Sequence, residues 1–227
     1  AFFYRMPKGA DLHMHLTGAV YAETWIHEAA EDNECVSAAR LRFDADHHAP
    51  GCPAGETPAG GVLSDQQRYD ALVDAFSMRA FVPSAGNSGH DHFFDTFYKF
   101  DVVSHGKDPE FVVQAVRRAA EQNESYLELM ALGAGSPISK LGAQVGLDTD
   151  FEVTRQKLLQ HGLDQLVTGL RNKVDDLEKG RVKGLGCDTE PDSPPCKVGV
   201  KYILQVLRLF PKEQVFAQTM AGFMLAS

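Results

Sequence analysis

The chain has 227 residues, 44% of them hydrophobic and 23% charged, a balance that excludes a disordered or collagen-like polypeptide. Its net charge of -9 and isoelectric point near 5.4 argue against a nucleic-acid partner, because phosphate backbones are held by clustered Lys and Arg. No apolar stretch approaches the roughly 18 residues of a membrane span. The opening AFFYR lacks the charged, apolar and small-residue regions of a signal peptide, so an exported chain would already have shed its leader.

In chain order, Pro7, Lys8 and Gly9 form a turn, Ala10 to His15 a short strand, and Gly18 releases the chain into a helix from about Tyr21 to Glu31. Ser64, followed by Asp65 and Gln67, reads as the cap of a helix that runs to about Ala80, before Pro83 and Gly86. The aromatic and polar spacing of SGHDHFFDTFYKFD, Ser88 to Asp101, is helical. Asp108 and Pro109 open another helix, with Phe111, Val112, Ala115, Val116 and Ala119 on one face. It leads into a strand at Tyr126 to Met130. One long helix is predicted from about Thr149 to Lys179, its charged stretch from Arg171 to Arg181 forming a solvated face. A strand at Val198 and a helix from about Pro211 complete the pattern. Strands alternating with helices imply a parallel sheet.

The first strand lies within MPKGADLHMHLTGA, Met6 to Ala19. In a strand residues i and i+2 share a face, so His13 and His15 can grip one metal ion together. A second pair, His90 and His92, falls in the helical stretch, where i and i+2 do not face each other. That pair reads as the surface-facing start of a helix.

MPKGADLHMHLTGA closely resembles the opening of the adenosine deaminase family of zinc amidohydrolases, in which the first barrel strand carries Lys, then Leu-His-x-His-Leu, then Asp-Gly-Ala or a variant. Three further landmarks follow in the family's order. FDTFYKFD, Phe94 to Asp101, is similar to the segment that lines the family's substrate mouth; YLELM at Tyr126 resembles its second strand, and VGVKYILQVLR at Val198 its third. The resemblance implies an α/β fold, the N-terminal portion of a (β/α)8 TIM-type barrel, with zinc as cofactor and His13 and His15 as metal ligands. It implies hydrolytic deamination of adenosine, or a related aminopurine nucleoside, to inosine and ammonia. Gly18 would let the backbone approach the nucleoside. Phe97 and Phe100 either form part of an apolar mouth or face the core of their helix. Thr17 stands where many members carry an Asp that contacts the ribose 5'-hydroxyl; its hydroxyl is shorter and uncharged. Adenosine is the first substrate expected, with another aminopurine or a 5'-modified nucleoside second.

Four cysteines permit three pairings. The simplest joins Cys35 to Cys52 and Cys187 to Cys196, each pinning a polar excursion without a core of its own, at about 32–63 and 184–197. The first insertion also resembles the disulfide-bearing one of the family's secreted, growth-factor-like branch. Both features point to a periplasmic or extracellular location; four free thiols in a cytoplasmic enzyme are the alternative.

A barrel of this class needs eight strands and about 250 residues, whereas three strands are legible here. The whole chain is therefore expected to be a partial barrel, completed by a covalent remainder or by a second chain, with homo-oligomerisation a further option. The third metal ligand and the proton donor are expected beyond Ser227, since the only later His is His161, within the long helix. The chain alone should not deaminate. Two other readings stand beside this one: a different metal-dependent amidohydrolase, and a non-catalytic growth-factor-like binding relative.

Overall fold

The computed structural model describes residues 2–104, 106–133 and 136–227. In chain order it contains α1 (Phe2–Arg5), β1 (Gly9–His15), α2 (Leu16–Ala19), α3 (Ala22–Glu31), β2 (Glu34–Ser37), β3 (Arg42–His48) and β4 (Glu56–Pro58). Then come α4 (Gln66–Phe76), α5 (Gly89–Phe100), α6 (Asp108–Glu121), β5 (Glu124–Gly133), α7 (Ser136–Val145), α8 (Phe151–Gln160), α9 (Leu163–Leu185), β6 (Gly199–Gln205) and α10 (Lys212–Ala226). The chain divides into two compact units, residues 1–16 with 112–227, and residues 17–111.

The first unit is built on a three-stranded parallel sheet in the order β1-β5-β6, with helical crossovers as the alternation of elements predicts. No closed barrel forms among the described residues. In β5 the buried side chains are Leu127 and Leu129, then Met130 and Leu132. The alternation slips because β5 carries one extra residue between Leu129, opposite Tyr202, and Leu132, opposite Leu204. Val112, Ala115, Val116 and Ala119 of α6 are buried at the spacing expected.

A second cluster in this unit joins Ile138, Leu141, Leu158, Leu163, Val167, Ala217 and Ala221 from α7 to α10. Here α7 and α10 touch backbone to backbone: a Cβ on Gly142 would stand 2.7 Å from the Glu213 carbonyl oxygen. The single helix expected from 149 to 179 is instead two. Gly162, with φ of +96°, takes a left-handed conformation that few other residues tolerate, so it ends α8 and starts α9. His161 therefore lies in the break, its Nδ1 2.7 Å from the Lys157 carbonyl oxygen. The helix α7 was not foreseen. The excursion at 184–197 begins at Gly186, since α9 runs to Leu185, and it is closed by the Cys187–Cys196 disulfide.

The second unit holds an antiparallel sheet in the order β3-β2-β4, within the insertion expected to be a coreless loop. That expectation is corrected by Cys35, Val36 and Phe43, which are buried, and the Cys35–Cys52 disulfide ties the sheet to its outgoing loop. Against it lies an aromatic stack: Trp25 on Phe100 at 4.7 Å, Phe100 on Phe76 at 5.9 Å, and Phe76 on Phe43 at 5.1 Å. Asp65, not Ser64, caps α4 by accepting the Arg68 N–H, and the helix stops at Phe76 rather than Ala80. Ser88 and Asp91 form a reciprocal capping box at the start of α5. His90 is exposed there as expected, whereas His92 is half-buried, stacked on Phe81 with Nε2 2.9 Å from the Ser77 carbonyl oxygen.

All four cysteines are paired as the local arrangement predicts, which suits an oxidising compartment such as the periplasm or the extracellular space. No helix among the described residues is long and apolar enough to cross a membrane.

Candidate metal centre

Both histidines of the opening motif lie at the carboxyl end of β1, the end at which parallel α/β sheets place their ligands. The strand is not regular there. Asp11 stands opposite Leu127 and Met14 opposite Leu129, so β1 has one extra residue in the segment that carries His13. Bulges of this kind re-aim side chains. The Asp11 carboxylate accepts the His13 backbone N–H at 3.0 Å and holds the bulged backbone. The outcome is that the two imidazoles remain side by side, with ring centres 5.6 Å apart and planes at 71°.

A third strand supports the pair. Gln205, the last residue of β6, places Nε2 3.3 Å from His15 Nδ1 and 3.6 Å from Met130 Sδ. Met130 is the residue opposite His15 in the ladder. His15, Met130 and Gln205 thus converge toward the carboxyl ends of three adjacent strands; the Gln205 amide nitrogen, a donor, orients the ring through Nδ1, and a metal at His15 Nε2 requires the opposite tautomer, with the Gln205 carbonyl oxygen turned to accept from Nδ1. Sequence reasoning missed Gln205, although a polar residue closing the apolar run Tyr202-Ile203-Leu204 was a visible signal.

Burial, and secondly the positive charge His13 would carry, lower the pKa of His15 below its usual 6.5. The ring is therefore neutral at neutral pH, the form that ligates metals. Because the folded value lies below the unfolded one, this term stabilises the fold fully above pH 6.5 and is lost as pH falls toward the folded value. In metal-free protein we expect the His15 Cε1 proton to titrate with a midpoint under 6.5, and unfolding free energy to decline with acidification over that window. A midpoint at or above 6.5 by NMR would contradict the placement of the ring.

The pair meets the geometry of a zinc site in part. Two imidazoles on one tetrahedral zinc, bound at about 2.0–2.1 Å, set their ring centres roughly 5 Å apart, close to the separation seen. A catalytic zinc takes three protein ligands and keeps a fourth position open. Among the described residues no group of three His, Cys, Asp or Glu side chains surrounds the site. His13 and His15 fit two positions of the shell, and no chemical step is assigned to this chain through a metal.

The other residues singled out from the sequence lie in the second unit. Gly18, Phe97 and Phe100 line one pocket of about 220 Å³, together with Tyr21, Phe93 and Arg79. It is smaller than the roughly 300–1,000 Å³ of drug-sized sites, and its apolar walls suit one ring-sized group. Phe100 is buried in the aromatic stack while Phe97 is half-exposed, so one helix supplies both a core residue and a pocket wall. Arg79 stands over the Tyr21 ring at 5.7 Å and donates to both oxygens of the Glu23 carboxylate, which neutralises it within the unit. Thr17 is half-buried in α2 and does not line this pocket.

No protein-family model matches the chain, and no curated protein matches it.

Proposed function

We propose that the chain is the opening part of a zinc-dependent amidohydrolase of the adenosine deaminase type, acting on adenosine or a related aminopurine nucleoside to give inosine and ammonia. The observation that carries this reading is the pairing of His13 and His15 rings at the carboxyl end of the first parallel strand, with Gln205 seated against His15. The strand order supports it. Three parallel strands adjacent in the order in which they occur in the chain are what the first three units of a (β/α)8 barrel require, whereas a doubly wound sheet reverses direction at a switch point.

When bound, zinc supplies a Lewis acid that makes water nucleophilic near neutral pH. This chain's contribution is narrower. His13 and His15 hold two of the ligand positions as neutral imidazoles, Asp11 holds the bulged backbone at His13, and Gln205 packs against His15. The described residues supply two ligand positions and no third, so this reading requires a further metal ligand and a proton donor from outside them. Thr17, a short uncharged hydroxyl in place of a carboxylate, removes a charged contact to the ribose; adenosine stays the first substrate, with another aminopurine or a 5'-modified nucleoside second.

The test uses the full-length protein, with zinc content measured by atomic absorption and ammonia release measured with adenosine. His13→Ala is expected to lose zinc and turnover together, each by at least about a hundredfold, since one ligand of three or four is removed. A zinc-loaded, active His13→Ala variant would overturn the ligand assignment. Native protein without zinc and without ammonia release would favour a non-catalytic binding relative, and zinc with activity only on cyclic amides would favour another amidohydrolase.

A further inference from the structure

Asn123-Glu124-Ser125 is an Asn-x-Ser acceptor sequence for N-linked glycans, the single Asn-x-Ser or Asn-x-Thr triplet in the chain. Asn123 is exposed in the turn between α6 and β5, with φ of 61°, and its backbone N–H donates to the Ala120 carbonyl at 3.1 Å. Its side-chain Nδ2 donates to the Tyr4 carbonyl oxygen at 2.8 Å, while Ser125 Oγ donates to the Gly9 carbonyl oxygen at 3.0 Å. An Asn amide carries two N–H groups. A glycan replaces one of them and the other still reaches Tyr4.

A second observation comes from what surrounds that amide. Phe2, Phe3 and Tyr4 of α1 are 74%, 76% and 78% exposed, and the Phe2 and Phe3 rings meet edge to face at 5.5 Å. Contiguous exposed aromatic surface of this kind marks a contact site. Sugar rings, which present C–H faces, stack on aromatic rings, and the hydrogen bond from Asn123 to the Tyr4 backbone carbonyl places the attachment atom beside the helix that carries the Phe2–Phe3 pair.

We propose that Asn123 is an N-glycosylation site and that the first sugars of its glycan cover the exposed Phe2–Phe3 ring pair. In the transfer, Nδ2 displaces the pyrophosphate of a lipid-linked oligosaccharide: the bond from Nδ2 to sugar C1 forms, the C1–O bond to phosphate breaks, and one Nδ2 proton leaves. The location keeps the glycan away from the histidine pair. Asn123 lies beside the pairing of Gly9 with Glu124, while His15 pairs with Met130 at the other end of the same parallel ladder. Six residues of strand separate the two ends by roughly 20 Å. The proposal rests on passage through an oxidising secretory compartment, for which the two disulfides speak, and does not depend on the metal site.

The test secretes the full-length protein from a eukaryotic cell and treats it with peptide-N-glycosidase. The expected result is a mobility shift on treatment with conversion of Asn123 to Asp in the released peptide, lost in Asn123→Gln and in Ser125→Ala and kept in Ser125→Thr. The Ser125 pair separates loss of the acceptor from misfolding, because Thr retains the hydroxyl that Gly9 accepts. Enzymatic removal of the glycan should raise binding of a hydrophobic dye, and Phe3→Ala should reduce that rise. Folded, disulfide-bonded protein secreted with unmodified Asn123 overturns the site, as does failure of the native chain to be secreted. A glycan whose removal leaves dye binding unchanged overturns the aromatic cover.

Discussion

Trp25→Ala lowers the unfolding free energy of the second unit by about 3–5 kcal/mol, the range for truncating a fully buried large aromatic. The side chain has no exposed surface, stacks on Phe100 at 4.7 Å with planes 13° apart, and meets the edge of Phe111 at 4.7 Å. Its removal opens a cavity between α3 and α5 that the surrounding rings cannot fill by rotamer changes, because Phe100 is also held by Phe76. The indole Nε1, however, is buried with no hydrogen-bond partner among the described residues. An unsatisfied buried donor costs about 1–3 kcal/mol. Trp25→Phe therefore loses ring area but also removes that donor, and it should cost clearly less than the alanine variant. Since Trp25 is the sole tryptophan, urea unfolding is to be followed by circular dichroism rather than fluorescence. A Trp25→Ala variant within 1 kcal/mol of native, or a Phe variant as unstable as the Ala one, would contradict this packing.

What could be read in the sequence was what repeats with a regular period. The strand β1 was legible from its turn and its alternating histidines, and β5 from its length of apolar residues directly after a periodic helix. In the antiparallel sheet of the second unit β2 and β4 were hidden by their length of four and three residues, and β3, as long as β1, by the charged residues that flank Phe43. Val36 and Phe43 pair across the local β2–β3 hairpin, seven residues apart, with no regular apolar alternation to mark either strand. The division of the long helix turned on Gly162 alone. A glycine inside a periodic pattern is tolerated in many helices at a cost of about 1 kcal/mol, so the pattern did not announce the left-handed turn. At the candidate site, His13 and His15 were visible as a motif, while their mutual position depends on a bulge in β1 that spacing does not reveal. Gln205 lies 190 residues from His15 in the chain, and only the adjacency of β1, β5 and β6 brings the two together.

The two disulfides are expected to differ in what their loss costs, and loop length is not the reason. They span 17 and 9 residues, and chain-entropy scaling gives about 0.6 kcal/mol for each doubling of a loop. Burial separates them. Cys35 has no exposed surface and sits in β2, the central strand of the antiparallel sheet, next to buried Val36, whereas Cys187 and Cys196 are both half-buried in a surface excursion after α9. Cys35→Ala with Cys52→Ala removes a cross-link worth about 3 kcal/mol in loop entropy and also leaves a gap at the sheet centre, so a loss of roughly 3–5 kcal/mol is expected. Cys187→Ala with Cys196→Ala loses the entropic part alone, roughly 2–3 kcal/mol. The order matters for function, because Cys187–Cys196 precedes β6, whose last residue is Gln205. Losing that bridge should loosen the connection into β6 and weaken the zinc binding proposed at His15 before it unfolds the sheet, whereas losing Cys35–Cys52 should unfold the antiparallel unit and leave the histidine pair's sheet intact. Thermal unfolding of the two double variants, read beside zinc affinity of the full-length protein, checks both parts. Equal destabilisation by the two pairs would show that the buried cysteine contributes no packing beyond its cross-link.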